Sequence, residues 1–268
     1  MAPMTNTSTG LVIRGSRVPV PGRTVTNFLD DPRYSLKLPE DGKAARRHPV
    51  QLVVLHTTKG IPGGKDKRPQ DVRPGLGPNV DAELRCARFW SASDLQSGAH
   101  LVVDFDGTIG CLADCADVVA YHAKAMNARS VGIEIYQGSA AELYAGQLDA
   151  VCDLVDTLTM AFGIQRQIPD RYRGPLARLT SGGADVIGVV GHRDGDDNRG
   201  EGDPGNAIFE ALAARKYERF NFAAGDDRIA WKERQARLGV AADGIPGPAT
   251  RHALAASGHA GGLWVARP

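Results

Sequence analysis

Excess charge of either sign is missing from this chain. Its 268 residues include 32 Lys and Arg against 31 Asp and Glu, a formal net charge of +1 at pH 7. Proteins that bind nucleic acid through its phosphates usually carry a concentrated positive charge. We therefore predict no nucleic-acid partner. The hydrophobic fraction of 42% is ordinary for a folded protein, and the chain is long enough for one substantial domain and a smaller one.

Long apolar runs are absent as well. No segment of the sequence approaches the roughly 18 consecutive apolar residues that a membrane-spanning helix needs. The N-terminal segment contains no basic stretch followed by an apolar one, which is the pattern of a secretory signal peptide. We therefore expect no membrane insertion, and synthesis in the cytoplasm without a signal peptide.

Cysteine is scarce, and its spacing is irregular. The cysteines are Cys86, Cys111, Cys115 and Cys152, and only Cys111 and Cys115 lie close together in sequence. In a protein made in the cytoplasm they are expected to be reduced thiols. The close pair could contribute to a metal site, but no second pair has the spacing that would complete a tetrahedral one.

Hydrophobic periodicity alternates between strand and helix along most of the chain. Residues 52–55 form a short apolar run typical of a strand buried on both faces, and apolar residues recur at helical spacing through residues 141–162. An Asp-Gly turn joins two apolar segments into a predicted hairpin at residues 99–112. The remaining predicted elements are a helix at 82–90, strands at 130–136 and 186–190, and a helix at 205–220. This order favours an α/β fold with a mixed central β-sheet flanked by helices.

Gly, Pro and charged residues mark the boundaries between units. Residues 1–47 are predicted to be an N-terminal extension that contains a hairpin or an edge strand. The main domain is predicted at 48–222, with a long loop at 59–79. Residues 223–228 are a predicted linker, and residues 229–268 are predicted to form a small C-terminal helical domain.

Two histidines and one aspartate lie next to predicted elements of the main domain. His56 follows the apolar run at 52–55, His192 follows the strand at 186–190, and Asp203 precedes the helix predicted at 205–220. Two neutral imidazoles and one carboxylate suit Zn²⁺, and three protein ligands leave a fourth coordination position for a water molecule. The sequence therefore predicts a metal-dependent hydrolase with a zinc site formed by these three residues.

Glu134 lies in a predicted strand whose apolar residues, Val131, Ile133 and Ile135, alternate with it. It therefore points to the face opposite these residues. On this pattern alone, Glu134 could equally be a solvent-facing strand residue.

Two charged segments have less specific interpretations. Residues 194–197 contain three aspartates but lack the terminal glutamate of a calcium-binding loop, so a solvated loop is expected. Lys65-Asp-Lys-Arg68 predicts a soluble loop, with contact to substrate carboxylates at the rim of a groove as the alternative. No role is assigned to His48, His252 or His259.

Five motifs occur in the order found in one enzyme family. They are Leu55-His56-Thr57-Thr58, Ser97-Gly-Ala-His100 with Asp106-Gly107-Thr108-Ile109, Tyr121-His122-Ala123, Ser130-Val-Gly-Ile-Glu134, and Gly191-His192-Arg193-Asp194 with Asp203-Pro204-Gly205. From about residue 50 to 212 the chain resembles the zinc-dependent N-acetylmuramoyl-L-alanine amidases of the type-2 amidase and peptidoglycan-recognition superfamily. Segments 235–240 and 243–254 resemble a peptidoglycan-binding type-1 module.

The resemblance implies a role for each motif residue. His56, His192 and Asp203 align with the zinc ligands, and Glu134 aligns with the residue that transfers the proton. The residues implied at the substrate-binding cleft are His122, Thr57, His100 and Arg193. His122 is expected to contact substrate or to support a metal ligand, with a structural role as the alternative. For His100 the alternative is a strand residue hydrogen-bonded near the cleft. The implied cofactor is Zn²⁺, the implied partner is bacterial peptidoglycan, and the protein is expected to be a monomer.

One position departs from the family pattern. Many relatives carry a lysine two residues before the last metal ligand, where it supports the tetrahedral intermediate, whereas this chain has Glu201 there. Arg193, Arg199 and Lys124 are the alternatives for this second electrophile, and zinc acting alone is a further one.

Two classes of function fit these motifs. The first is an enzyme that cuts the amide bond between N-acetylmuramic acid and L-alanine; the second is a non-catalytic peptidoglycan-recognition or virion-associated wall-binding protein. Asp203 favours the enzyme, because a protein that only binds has no need of a complete ligand set. The expected lack of a signal peptide, together with a wall-binding tail, resembles phage endolysins, which reach the cell wall through a holin-made hole.

Removal of residues 226–268 tests the predicted role of the tail. A tethered wall binder raises the effective concentration of the catalytic domain over an insoluble polymer without new contacts at the active site. We expect the truncation to slow lysis of whole walls more than cleavage of a small soluble muropeptide, with both rates measured on the same preparations. Equal losses on the two substrates would instead indicate a structural role for the tail.

Overall fold

The computed structural model describes most of the chain up to residue 222. The described residues are 10–29, 31, 33–34, 36, 44–59, 82–92, 97–137, 143–181, 186–222, 232, 235–242, 249–250 and 252–253. The predicted linker at 223–228, most of the predicted loop at 59–79 with its charged segment Lys65-Asp-Lys-Arg68, and His259 lie outside them. So does most of the predicted C-terminal domain, within which the side-chain amide of Gln235 donates a hydrogen bond to Thr250 Oγ1 at 2.9 Å.

Short strands and three longer helices alternate along the described residues. The strands are β1 (Leu11–Ile13), β2 (Ser16–Val18), β3 (Val25–Asn27), β4 (Leu52–Lys59), β5 (Leu101–Val103), β6 (Ile109–Cys111), β7 (Ser130–Gln137), β8 (Gln167–Pro169), β9 (Gly188–Gly191) and β10 (Glu218–Phe220). The helices are α1 (Ala82–Ala92), α2 (Ala145–Phe162), α3 (Ala177–Thr180) and α4 (Asn206–Ala214), with 3₁₀ turns at Lys124–Arg129 and His192–Asp194.

A six-stranded mixed sheet organises these elements. Its strand order is β3-β6-β5-β7-β4-β9. β5 and β6 pair antiparallel, as predicted for the hairpin at 99–112, and the other neighbouring strands pair parallel. The predicted α/β class, with a mixed central sheet flanked by helices, is confirmed.

β4 has the longest pairing in the sheet. It pairs with β7 over its whole length and with β9 on its other side. The consecutive apolar residues at the start of β4 favour this central position, because both faces of the strand are covered. In this register His56 of β4 lies opposite Glu134 of β7. Strand pairing therefore places a predicted metal ligand beside the predicted proton-transfer residue.

The two faces of the sheet are covered by different apolar clusters. Leu55 and Ile133 belong to the larger cluster, which contains residues of α2 and α4. Val54 belongs to a second cluster, which contains residues of the first 3₁₀ turn and α3. Because side chains alternate along a strand, His56 shares the face of Val54, and Glu134 lies on the face opposite Ile133, as predicted. The candidate site therefore lies on the face away from α2 and α4.

The helix predicted at 205–220 is wrong in its second half. α4 ends at Ala214, and residues 218–220 form β10, which pairs parallel with β8. Lys216 has a φ of 66°, a left-handed conformation that cannot continue a helix. Tyr217 then turns into the core, where its hydroxyl donates a hydrogen bond to Asp156 at 2.8 Å. Apolar residues thus recur past Ala214 and suggest a longer helix, although the backbone leaves the helical conformation there.

Part of the predicted N-terminal extension belongs to the same core. β1 and β2 form an antiparallel hairpin, in agreement with the prediction, and β3 forms the edge of the central sheet. Leu11, Val12 and Val25 are buried in the larger apolar cluster. The predicted boundary after residue 47 stays a prediction, and the core includes residues from both sides of it.

Two further features concern predictions from composition. All four cysteines are buried and free. In the part of the chain that the structure describes, no helix combines the length and the apolar character that crossing a membrane requires.

Gly132 leaves room for a histidine ring over β7. A Cβ atom at this position would lie 2.6 Å from Cγ of His122, well inside van der Waals contact. We expect Gly132→Ala to displace that ring and to lower the free energy of unfolding by about 1–3 kcal/mol, measured by denaturant titration. Gly146→Ala in α2 is the control, because a Cβ there meets no atom within 4 Å. This control should leave stability unchanged or raise it by up to about 1 kcal/mol, and equal effects of the two substitutions would contradict the steric argument.

Candidate functional site

The three predicted metal ligands converge at one end of the sheet. His56 lies in β4 directly after the last residue that pairs with β9, His192 directly follows β9, and Asp203 lies in the turn before α4. The Nδ1 atoms of the two histidines are 2.9 Å apart, and His192 Nδ1 is 3.4 Å from Asp203 Oδ2. One donor atom from each residue lies within 4.8 Å of the other two. The three residues could therefore hold a metal ion.

Hydrogen bonds from two elements fix the position of Asp203. The backbone N–H of Thr57 donates to Asp203 Oδ1 at 3.0 Å, and the Thr57 hydroxyl donates to the carbonyl oxygen of Gly202 at 2.8 Å. The backbone N–H of Arg193 donates to the carbonyl oxygen of Asp203 at 2.8 Å. Thr57 was predicted to contact substrate. Its hydrogen bonds also tie the turn that carries Asp203 to β4.

The chemistry of this donor set suits a tetrahedral metal ion. Bonds of 2.0–2.1 Å, typical of zinc and imidazole nitrogen, separate neighbouring ligand atoms by about 3.3 Å. The observed separations of 2.9 and 3.4 Å lie on either side of that distance. Burial, reinforced by the nearby His192, lowers the pKa of His56 to about 3, so its ring is in the neutral form that binds metals. Burial would raise the pKa of Asp203, but the hydrogen bond with His192 and the proximity of His56 lower it overall, which keeps the carboxylate ionised.

Glu134 projects into the same site from β7. It is half-buried and lines a cleft together with the three possible metal ligands. Burial first, and the negative charge of Asp203 second, raise the pKa of Glu134 to about 8. A carboxyl group with a pKa near neutrality can both accept and release a proton.

The cleft around these groups has a volume of about 210 Å³ and combines polar and aromatic walls. Its lining residues are His56, Thr57, Trp90, Ser97, Gly98, Ala99, Tyr121, His122, Glu134, His192, Arg199 and Asp203. Trp90 lies outside the five motifs, and the sequence indicated only that it ends a predicted helix. Tyr121 directly precedes His122 in one of the motifs, and this neighbourhood was the only sequence indication that it lies in the cleft.

His122 forms a hydrogen-bonded chain behind His56. His122 Nδ1 is 2.8 Å from His56 Nε2, and His122 Nε2 is 3.1 Å from Ser130 Oγ. Burial lowers the pKa of His122 well below its usual value, so the neutral ring can accept one hydrogen bond and donate another. His122 therefore orients His56 through the nitrogen that does not face His192, and it also lines the cleft. Its two predicted roles, substrate contact and support, are both compatible with this placement.

Asp196 lies at the site although no motif in the sequence pointed to it. The prediction that residues 194–197 form a solvated loop is wrong for Asp194 and Asp196, which are only 1% and 3% exposed, whereas Asp197 is exposed. Asp194 accepts a hydrogen bond from the last N–H of β9, and Asp196 forms an ion pair with Lys124 Nζ at 2.7 Å. The other oxygen of Asp196 lies 3.4 Å from His192 Nε2, on the far side of that ring from Nδ1. In the sequence, the only indication that Asp196 belongs to the site was its position four residues after His192.

Two predicted substrate-binding residues do not line this cleft. His100 is fully buried, its Nδ1 accepts a hydrogen bond from the N–H of Gly132, and its Nε2 faces Arg46 at 3.1 Å. His100 therefore lies directly before β5 and is hydrogen-bonded to β7, which is close to the alternative of a strand residue hydrogen-bonded near the cleft. Arg193 is 1% exposed and donates a hydrogen bond to Asn206 Oδ1 at 2.7 Å. Burial leaves both side chains without direct access to a substrate in the described cleft.

The sequence was compared with known families and proteins. A family model described as Amidase_2, N-acetylmuramoyl-L-alanine amidase, matches residues 46–206. The matched segment contains every residue that lines the cleft. A comparison with curated proteins gave no significant match.

Several solved structures are similar over most of their length. The endolysin and N-acetylmuramoyl-L-alanine amidase LysCS from Clostridium intestinale is 18% identical, with a TM-score of 0.42 and coverage of 73% of this chain and 97% of that chain. Wild-type PGRP-LB from Drosophila is 20% identical, with a TM-score of 0.44 and coverage of 75% and 99%. A selenomethionine derivative of AmpD is 18% identical, with a TM-score of 0.39 and coverage of 67% and 94%. These similarities are too distant to carry an argument about function.

Substitution of Asp196 tests whether it orients His192 for metal binding. Carboxylates that contact the outer nitrogen of a ligating histidine typically change metal affinity by 10–100-fold when they are removed, so we expect Asp196→Asn to weaken Zn²⁺ binding by about that factor. The measurement is competition with a chromophoric chelator. Asp197→Asn removes the adjacent, exposed carboxylate and should bind Zn²⁺ as tightly as the wild type. Identical affinities of the two variants would count against the orienting role.

Proposed function

Because the chain belongs to the N-acetylmuramoyl-L-alanine amidase family, whose model matches residues 46–206, we propose that it is a zinc-dependent enzyme that hydrolyses the amide bond between N-acetylmuramic acid and L-alanine in bacterial peptidoglycan. The observation that carries the proposal is the meeting of His56, His192 and Asp203 with Glu134 in one open cleft. Binding of peptidoglycan alone requires neither three convergent metal ligands nor a carboxyl group with a pKa near neutrality.

His56 Nδ1, His192 Nδ1 and Asp203 Oδ2 would hold the ion. Zn²⁺, when bound, supplies Lewis-acid polarisation and lowers the pKa of water. The protein contributes the geometry of these donors. Thr57 fixes the carboxylate of Asp203, and His122 is hydrogen-bonded to the outer nitrogen of His56. A carboxylate oxygen of Asp196 lies 3.4 Å from the outer nitrogen of His192.

Glu134 is the proposed general base and general acid. It faces His56 across the β4–β7 pairing, so its carboxylate lies at the cleft wall next to the metal ligands. It would take a proton from the attacking water and return it to the amide nitrogen of L-alanine as the C–N bond breaks. Its raised pKa, about 8, allows it to hold that proton between the two events.

Substrate contact is proposed for the partly exposed side chains of the cleft. Trp90 and Tyr121 offer aromatic surface with a polar tip, which suits a muropeptide that carries both apolar and polar groups. His122 also reaches the cleft. His100 and Arg193 are omitted from this set because both are buried.

An endolysin-like role is proposed for the whole chain. It is supported by the resemblance of segments 235–240 and 243–254 to a peptidoglycan-binding module. In this role the protein is made in the cytoplasm, reaches the cell wall after holin-mediated release, and is held on the polymer by its tail. The second candidate is a recognition or virion-associated protein that binds peptidoglycan without cleaving it, and the observation in its favour is Glu201 at the position of the family's lysine.

An assay on purified peptidoglycan tests the enzymatic proposal. The protein is incubated with and without a chelator, and newly exposed L-alanine amino groups are counted beside reducing sugar ends. We expect amino groups without reducing ends, complete loss with chelator, and recovery when Zn²⁺ is added back. Glu134→Ala should lose activity by about 10²–10⁴-fold, because the proton-transfer group is gone.

Glu218→Ala is the matched control, because Glu218 is an exposed glutamate on β10 and does not line the cleft. It should cleave as the wild type does. Wall binding and stoichiometric Zn²⁺ without any release of amino groups would rule out the enzyme and leave the recognition protein. Release of reducing ends would assign cleavage to the glycan instead.

A further inference from the structure

The proposed hydrolysis benefits from a positive charge beside the metal ion. The carbonyl oxygen of an amide becomes negative when water adds to its carbon, and a fixed donor at that oxygen stabilises the transition state. The residue at the position of the family's lysine is Glu201, which is exposed and accepts a hydrogen bond from Asn206 Nδ2 at 3.3 Å. A carboxylate cannot supply this charge. Three cationic side chains near the site are candidates to replace the lysine.

The side chain of Arg193 is buried in the protein interior. Its guanidinium donates hydrogen bonds to the carbonyl oxygen of Glu201 and to Asn206 Oδ1. It also lies over the rings of Tyr172 and Phe209, with centroid distances of 4.8 and 5.0 Å. Arg193 therefore anchors the turn that carries Asp203 to the start of α4, and it does not face the cleft.

Lys124 forms an ion pair with Asp196. Its ammonium group lies 2.7 Å from Asp196 Oδ1, and that carboxylate is 3% exposed. The pair lies on the Nε2 side of His192, whereas the nitrogen that faces His56 and Asp203 is Nδ1. Lys124 accordingly lines a neighbouring cavity and not the cleft that contains Glu134.

Arg199 differs from Arg193 in its exposure and from Lys124 in the cavity that it lines. Its side chain is 50% exposed and lines the cleft. Among the described residues its guanidinium makes two ion pairs, at 3.7 Å to Asp203 Oδ2 and 4.0 Å to Asp196 Oδ2, and both are longer than a hydrogen bond. Glu134 lines the same cleft, so the guanidinium and that carboxyl group border one space. Arg199 thus has N–H groups available to a ligand between Asp203 and Glu134.

We propose that Arg199 is a catalytic residue that donates hydrogen bonds to the scissile carbonyl oxygen while that oxygen is negative; the inference rests on the function proposed above. In the step, the water oxygen bonds to the carbonyl carbon, the π pair moves to the carbonyl oxygen, and Glu134 takes the water proton. When that pair returns, the C–N bond breaks and Glu134 gives the proton to the leaving nitrogen. Arg199 keeps all its protons throughout.

A purely structural role for Arg199 makes a different prediction. A guanidinium that served only to hold Asp203 would act through the affinity for metal, because Asp203 is a proposed ligand. A guanidinium that binds the developing oxyanion would act on kcat and leave metal affinity intact. Measurement of both quantities on the same variants separates the two roles.

The test uses the full chain and a small soluble N-acetylmuramoyl peptide. We expect Arg199→Met to lower kcat by about 100–1000-fold. KM and the Zn²⁺ affinity, from chelator competition, should stay within about three-fold of wild type, as for an interaction made only in the transition state. Arg199→Lys should recover part of the loss, because it keeps the charge without the paired donors. Arg171→Met, which removes an exposed arginine outside the cleft, should retain the wild-type kcat.

Each contrary result has a distinct meaning. A wild-type kcat in Arg199→Met would overturn the inference and leave the proposed function standing. A loss of kcat that saturating Zn²⁺ reverses would assign the arginine to holding Asp203 and would also overturn it. If zinc-loaded wild type releases no amino groups, the proposed function fails and the inference fails with it. Should Arg199→Met not fold, as judged by circular dichroism, Arg199→Gln gives the same comparison with a polar, uncharged side chain.

Discussion

The parallel pairing of β4 with β7 on one side and β9 on the other is the constraint on which the site depends. The parallel register pairs Leu55 with Gly191, so the next residue of each segment, His56 and His192, meet where β9 ends. The same ladder sets His56 opposite Glu134. A shift of one residue in either register would turn these side chains into the core beneath α2, because side chains alternate between faces. The main-chain hydrogen bonds of the sheet therefore fix the relative positions of His56, His192 and Glu134 without a metal ion.

Burial in the centre of this sheet also sets the protonation states of the site. Removal from water lowers the pKa of His56 and His122 and raises that of Glu134. Asp203 has the same burial penalty, but its hydrogen bonds keep it ionised. One environment therefore gives neutral imidazoles and an anionic ligand beside a carboxyl group that holds a proton more tightly than usual. Neutral imidazoles and an ionised carboxylate are the forms in which these side chains bind a metal ion.

The segment from His192 to Asp203 combines several tasks within one turn. Its two ends supply possible metal ligands, Asp196 faces the outer nitrogen of His192, and Arg193 anchors the turn to α4. This division explains how a chain with Glu201 at the family's lysine position can still offer a cation to the cleft. Arg193 occupies the interior, which leaves Arg199 as the exposed arginine of the turn.

The sequence by itself determined the local patterns: the apolar run of β4, the alternation around Glu134, the stripe of α2 and the identity of the three possible ligands. These features depend on neighbours a few residues apart, which periodicity and motifs report directly. The tertiary structure alone decided that Asp196 is buried, that His100 faces the sheet interior, and that α4 ends at Ala214. It also decided which arginine faces the cleft. Such outcomes depend on contacts between distant segments, as between Lys124 and Asp196, 72 residues apart, and local spacing does not encode the direction in which a loop side chain turns.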